Sequence, residues 1–208
     1  MPHGKLRRIH SHFRKADPAI LKLLQRMKLE ILAQEMDHAR YFQKLCREIV
    51  SQQLAGKAAH AIHGRFVKLF PGGKVTPRKV LAISEKKLRA IGMSWAKASY
   101  VRDLARKILQ KDVDLKNLHA LDDEAVVAEL VKVKGIGRWT AEMFLIFTLG
   151  REDVFSRGDL GLRNGFERVY GRRRAASRKS VERIVARWSP YRSYGSLALW
   201  QVADFKED

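Results

Sequence analysis

Cysteine is nearly absent: Cys46 is the only one in 208 residues. A lone thiol excludes a disulfide framework, a four-cysteine zinc site and a cysteine-ligated iron–sulfur cluster. No run of about 18 apolar residues occurs, the length a membrane-spanning helix needs. The opening Met1-Pro2-His3-Gly4-Lys5 lacks the apolar stretch of a secretory signal. Convincing alternating strand patterns and repeat arrays are also missing. Acidic residues are scarce, with 22 Asp+Glu against 42 Lys+Arg, a formal charge of +20. With 46% hydrophobic residues the chain can still build a core, so it is not a solvated basic tail. These features predict a soluble, intracellular globular protein whose partner is a polyanion, nucleic acid being the commonest. A membrane surface is the competing partner, but no single amphipathic basic segment carries the charge.

The punctuation reads as helices joined by short turns. Asp17-Pro18 opens a helix over Ala19 to about Met27, and Asp37 caps one carrying Phe42, Leu45, Cys46 and Ile49 at helical spacing. A third runs from Gly56 to Phe70 and stops at Pro71-Gly72-Gly73. Thr76-Pro77 and Ser84 start two short helices, and a longer one covers Trp95 to about Leu109. Leu121-Asp122-Asp123 caps a helix with Val127, Leu130 and Val131 on one face. Gly135-Ile136-Gly137 then precedes an apolar helix reaching Leu149, and Ser177 and Pro190 begin the last two. The fold class is all-α. Three parts are expected: 1–36, packing with the C-terminal helices; 37–118; and 119–208.

The sharpest local signal is the turn in Leu130-Val131-Lys132-Val133-Lys134-Gly135-Ile136-Gly137-Arg138-Trp139-Thr140-Ala141. Its glycines permit close approach of another backbone. The free N–H groups of Gly135, Gly137 and the first turn of the next helix, around Thr140, lie at the positive end of that helix's dipole. Such a terminus binds phosphate without reading sequence. Lys132, Lys134 and Arg138 add charge. A bare glycine-broken helix–turn–helix would look similar; the surrounding cations and net charge favour the phosphate-binding reading.

This stretch resembles the helix–hairpin–helix DNA glycosylase superfamily, and Gly-Ile-Gly-Arg-Trp-Thr-Ala its 3-methyladenine DNA glycosylase II branch. The resemblance covers about residues 37–204 and implies two helical subdomains with the active-site cleft between them. It also implies a Na+ or K+ ion held at the hairpin by the backbone carbonyls of Val131, Val133 and Ile136, with no other cofactor required.

Asp159 lies 22 residues past Gly137, at the start of a helix, within Asp153-Val154-Phe155-Ser156-Arg157-Gly158-Asp159. By itself an Asp there reads equally as an N-cap. The resemblance makes it the catalytic aspartate, although the prolines common in that loop are missing; Asp153 takes a structural role. An anion beneath C1′ stabilises the positive charge that develops on the sugar as the glycosidic bond breaks. Relatives with lyase activity place a lysine two residues after the second hairpin glycine. Here that residue is Trp139, which implies a monofunctional enzyme.

Trp139 and Met143 share a helix face. In Arg187-Trp188-Ser189-Pro190-Tyr191-Arg192-Ser193 and on to Trp200, the chain resembles the family segment whose last tryptophan lines the base pocket. Trp139, Met143 and Trp200 are thus pocket candidates, each read alone as core. A cationic base over an indole gains about 0.5–2 kcal/mol. Ser51-Gln52-Gln53-Leu54 resembles the segment that fills the gap left by an everted base, which places Gln53 as the wedge with Leu54 assisting. Without the resemblance it is a polar interhelical turn.

His60 and His63 share a helix face but show no third metal ligand. Arg172-Arg173-Arg174 reads as a solvated loop or a phosphate patch, and Cys46 as a core thiol. The expected function is excision of alkylated purines from double-stranded DNA by a monomer, in the cytoplasm of a bacterium or the nucleus of a eukaryote. Two alternatives stay open: a glycosylase for a deaminated or oxidised base, and a non-catalytic hairpin DNA-binding protein.

Overall fold

The protein is represented by a computed structural model that describes residues 2–27, 32, 37–54 and 56–204. All regular structure among them is helical. In chain order the α-helices are α1 (Pro2–Ala16), α2 (Pro18–Arg26), α3 (His38–Ser51), α4 (Gly56–Lys68), α5 (Pro77–Ala82), α6 (Glu85–Ala90) and α7 (Trp95–Leu109). They continue as α8 (Asp123–Leu130), α9 (Arg138–Phe147), α10 (Leu160–Tyr170), α11 (Arg172–Ala176), α12 (Arg178–Ala186) and α13 (Arg192–Asp204).

Short polar side chains set most of the starts. Asp17 accepts from the N–H groups of Ala19 and Ile20 with Pro18 at the first helical position. Thr76, Ser84, Ser94, Asp122 and Ser177 cap α5, α6, α7, α8 and α12 in the same way. Helix α1 is not anticipated by the sequence reading, which starts its first helix after Pro18. Among the described side chains of α1, Ile9 and Phe13 are the buried apolar ones in a strongly basic stretch, too few to show a stripe. The one-turn α11 is likewise unforeseen, and α13 begins at Arg192 rather than Pro190.

The chain divides into two compact units, Met1–Gln34 with Leu145–Asp208, and Glu35–Phe144. This differs from the expected boundaries: the hairpin between α8 and α9 belongs with residues 35–118, not with Asp159. The reason is local, because hydrogen bonds from the 52–103 region hold the hairpin turn, as described below.

In the first unit, Ile9, Phe13, Ile20, Leu24, Leu162, Phe166, Trp188, Tyr194 and Leu199 build one core. Helices α10 and α13 pack closely because Gly165 has no Cβ where the carbonyl of Leu199 approaches. Buried Asp17 ties the ends of this unit together: its Oδ2 accepts from Tyr170 Oη at 2.6 Å and Trp188 Nε1 at 3.0 Å. In the second unit α3 contributes Tyr41, Leu45, Cys46 and Ile49, and α7 contributes Val101 and Leu104. Tyr41 meets Phe144 edge-on at 5.5 Å. Cys46 is a core thiol, and burial pushes its pKa well above the ordinary range.

Candidate active site

The hairpin turn spans residues 131–137. Gly135 has φ +81°, and a Cβ there would run into the ring of Tyr100. Glycine is therefore required twice, by conformation and by space. Further bonds hold the turn. Gln52 Nε2 donates to the Gly135 carbonyl at 2.8 Å, and the Lys134 N–H donates to Asp103 Oδ2 at 2.9 Å. Asp103 is buried, and its other oxygen accepts from Arg106 at 2.9 Å. Nothing lies within 4 Å of a Cβ built on Gly137, so that glycine leaves open space for an approaching group.

The hairpin cations differ in what they do. Lys132 pairs with Glu129 at 2.5 Å, and Arg138 pairs with Glu124 at 2.5 Å and Glu142 at 3.5 Å. Hydrogen bonding to Arg138 holds the Glu124 carboxyl below its usual range. Lys134 is exposed. The side chain of Thr140, which the sequence reading groups with the DNA-facing residues, is 4% exposed, with its Oγ1 3.5 Å from Gln52 Nε2. It supports the turn from within. The carbonyl of Val133 accepts from the Ile136 N–H at 3.1 Å. A carbonyl has a second lone pair, so that bond leaves it able to ligate an ion.

Gln53 follows α3 in an exposed turn with φ +55°, uncommon for a residue with a Cβ. Leu54 beside it is half-buried. On α9, Trp139 is 44% exposed while Met143 is buried.

In the first unit Asp159 is 8% exposed and caps α10. Its Oδ1 accepts from the Leu162 N–H at 2.7 Å and from Trp200 Nε1 at 2.8 Å. The N-cap reading of this residue is the one this geometry shows. Gly161 makes it possible: a Cβ there would sit 2.9 Å from Trp200 Cδ1 and 3.1 Å from Asp159 Oδ1. The Trp200 ring in turn lies 5.7 Å from that of half-exposed Phe147. A cavity of about 490 Å³ opens beside Asp159, with Arg157 and Arg178 on its wall, both paired with Glu182.

The loop carrying Asp159 is anchored by the start of α13. Asp153 accepts from Arg192 Nε at 2.7 Å, Arg192 Nη2 at 2.9 Å and Ser189 Oγ at 2.7 Å. Burial pushes the Asp153 carboxyl up, but the bonds from Arg192 and Ser189 outweigh it and leave the pKa lowered. The Val154 N–H donates to Ser193 Oγ at 3.0 Å. No local pattern in the sequence points to Gln52, Tyr100, Asp103 or Gly161 as supports. Phe147 has a signal, since it continues the four-residue spacing of Trp139 and Met143. His60 bonds the Gly56 carbonyl of its own helix, and no cluster of three metal-ligating side chains occurs among the described residues.

Residues 46–190 match the HhH-GPD superfamily of base excision DNA repair proteins. The chain is 31% identical over 170 residues to DNA-3-methyladenine glycosylase 1 of Schizosaccharomyces pombe, covering 81% of this chain and 75% of that one. Its fold resembles the crystal structure of a DNA-3-methyladenine glycosidase from Bacillus halodurans, with TM-score 0.78, 32% identity, and 94% and 88% of the two chains covered. It also resembles an S. pombe 3-methyladenine DNA glycosylase in complex with abasic DNA, with TM-score 0.75, 28% identity, and 96% and 100% covered. The buried aspartate opening α10, the glycine hairpin and the match over most of the chain agree: this protein belongs to the HhH-GPD superfamily of base excision DNA repair proteins.

Proposed function

We propose that the chain is a monofunctional DNA glycosylase that excises alkylated purines, of the 3-methyladenine and 7-methylguanine type, from double-stranded DNA. The observation that carries this reading is the Asp159 carboxylate, buried and held on one oxygen by a backbone N–H and an indole. Family membership and the names of the relatives support it.

The chemistry needs little more than that carboxylate. The C1′–N bond breaks with its electron pair leaving on the base, and positive charge builds on the deoxyribose. Asp159 stabilises that charge in a site removed from bulk water. Water adds its oxygen to C1′ and releases a proton. A base made cationic by alkylation departs neutral, so no strong general acid is required. Trp139, Met143 and Trp200 are the residues we assign to recognition of the everted base, and an indole face favours a cationic one. Gln53, with Leu54, fills the space left in the duplex. Phosphate is taken by the N–H groups around Gly135 and Gly137, with Lys134 beside them. A Na+ or K+ ion on the carbonyls of Val131, Val133 and Ile136 would add positive charge toward that phosphate. Trp139 offers no amine for a Schiff base, so the product is an uncut abasic site.

The test is a panel of single-lesion duplexes treated with the wild-type chain and with Asp159→Asn. Base release from the alkylated duplexes is expected, with strand breakage only after alkali. Asp159→Asn should lower the single-turnover rate at least about 100-fold, the scale of losing one charge-stabilising group. Release that survives that substitution unchanged would overturn the mechanism. Release confined to deaminated or oxidised bases would overturn the substrate assignment.

A further inference from the structure

The C-terminal end of α10, about 16 Å from Asp159 at 1.5 Å per residue, borders a second cavity of about 340 Å³. Three arginines line it, Arg174 from α11, Arg183 from α12 and Arg187 just after α12, together with Ser180, Asp17 and Tyr170. Ser180, Arg183 and Arg187 fall at i, i+3 and i+7, on one face of α12 and its C-terminal extension.

Two neighbouring arginines are paired within the chain, Arg172 with Glu167 at 2.5 Å and Arg178 with Glu182 at 2.9 Å. The side chains of Arg174, Arg183 and Arg187 make no ion pair or hydrogen bond among the described residues. Among the described residues Asp17 is the one carboxylate lining the cavity, and its oxygens already accept hydrogen bonds. Its Oδ1 accepts from two backbone N–H groups of α2 and its Oδ2 from Tyr170 and Trp188. Three guanidiniums therefore face one concavity that holds a single carboxylate, a net excess of positive charge, and two of them stand at like-charge i, i+4 positions that repel.

We propose that this cavity binds a phosphodiester of the DNA backbone, at a point separate from the hairpin and from Asp159. The assignment rests on the DNA reading above. Guanidinium forks match phosphate oxygens in bidentate fashion. All three arginines are exposed at the rim, which suits an anion presented from outside by a long polymer better than a small enclosed ligand.

The experiment measures binding of an undamaged duplex over a range of salt concentrations. It uses the wild-type chain, the double variant Arg183→Gln/Arg187→Gln, and the charge-keeping Arg183→Lys/Arg187→Lys. The glutamine variant should bind three- to tenfold more weakly at moderate salt, with a log–log salt slope shallower by about one for each phosphate no longer neutralised. The lysine variant should regain most of the slope. Damaged and undamaged duplexes should lose affinity equally, and single-turnover base release at saturating DNA should not change. Unaltered affinity and slope would overturn the proposal. So would thermal stabilisation by inorganic phosphate that the glutamine variant loses without any change in DNA slope, which marks a free-anion site. Loss of binding to a polyglutamate peptide with DNA binding intact would overturn it in favour of a protein partner. Because the duplex carries no lesion, failure of base release by the wild type would sink the glycosylase reading alone.

Discussion

Trp200 Nε1 donates to Asp159 Oδ1 at 2.8 Å, on the same oxygen that accepts the Leu162 N–H at 2.7 Å. One carboxylate oxygen is thus pinned from two directions, by a helix start and by an aromatic side chain of α13. Preorganised groups of this kind need not rearrange when charge develops.

Trp200→Phe keeps a ring and removes the donor. A hydrogen bond to a charged group contributes about 1.5–3 kcal/mol, so base release under single-turnover conditions should slow by roughly tenfold or more. Duplex affinity should stay near wild type. An unchanged rate would deny the indole N–H a positioning role.

Two glycines of α10 should respond unequally to alanine. At Gly161 the new Cβ meets the Trp200 ring at 2.9 Å, and a side chain can shift; alanine also favours helix by up to about 1 kcal/mol. Gly161→Ala should lower the unfolding midpoint less than Gly165→Ala does, while slowing base release about as much as Trp200→Phe. At Gly165 the Cβ meets the Leu199 carbonyl, which is backbone and cannot step aside. Gly165→Ala should destabilise the fold by about 1–3 kcal/mol or more, read by denaturant unfolding. Equal stability for the two variants would refute the distinction.

Gly135→Ala combines an unfavourable positive φ with a collision against Tyr100. Duplex binding should weaken at least tenfold. Adding Tyr100→Ala should relieve the collision and leave the φ penalty, so the double variant should recover only part of the affinity. Full recovery would show that space alone requires the glycine.

Alkali should destabilise the protein through two phenols. Burial, then the bonds to the carboxylates of Asp17 and Glu152, pushes the pKa of Tyr170 and Tyr194 above the ordinary value of about 10. The folded chain therefore keeps protons that the unfolded chain releases. Their contribution is whole below pH ~10 and declines as pH rises above it. Denaturant midpoints measured from pH 8 to 11 should fall at the upper end, and Tyr170→Phe should flatten part of that fall. A midpoint independent of pH over that range would contradict it.

The helical class and the main starts are legible because a capping side chain acts on its own few residues: Asp17, Ser94 and Asp122 cap where the sequence places them. The hairpin and Asp159 are legible through motif and spacing. What escapes depends on residues far apart in the chain. Gln52 reaches Gly135, Asp103 reaches the Lys134 N–H, and the need for glycine at 161 exists only because Trp200 packs there. The inward turn of the Thr140 hydroxyl toward Gln52 escapes for the same reason, since nothing local signals it. The domain boundary shifts because such bonds attach the hairpin to residues that precede it by about 30 to 80 positions.

The bond from Gln52 to the Gly135 carbonyl has a mechanical consequence. Gln53, the residue proposed to enter the duplex, is chained directly to a neighbour that grips the turn proposed to hold the phosphate strand. Probe and clamp then share one frame, and the offset between them is set before any duplex arrives. A helix scanned by such a frame would be interrogated at a fixed distance from each gripped phosphate, as by a caliper with its jaws locked.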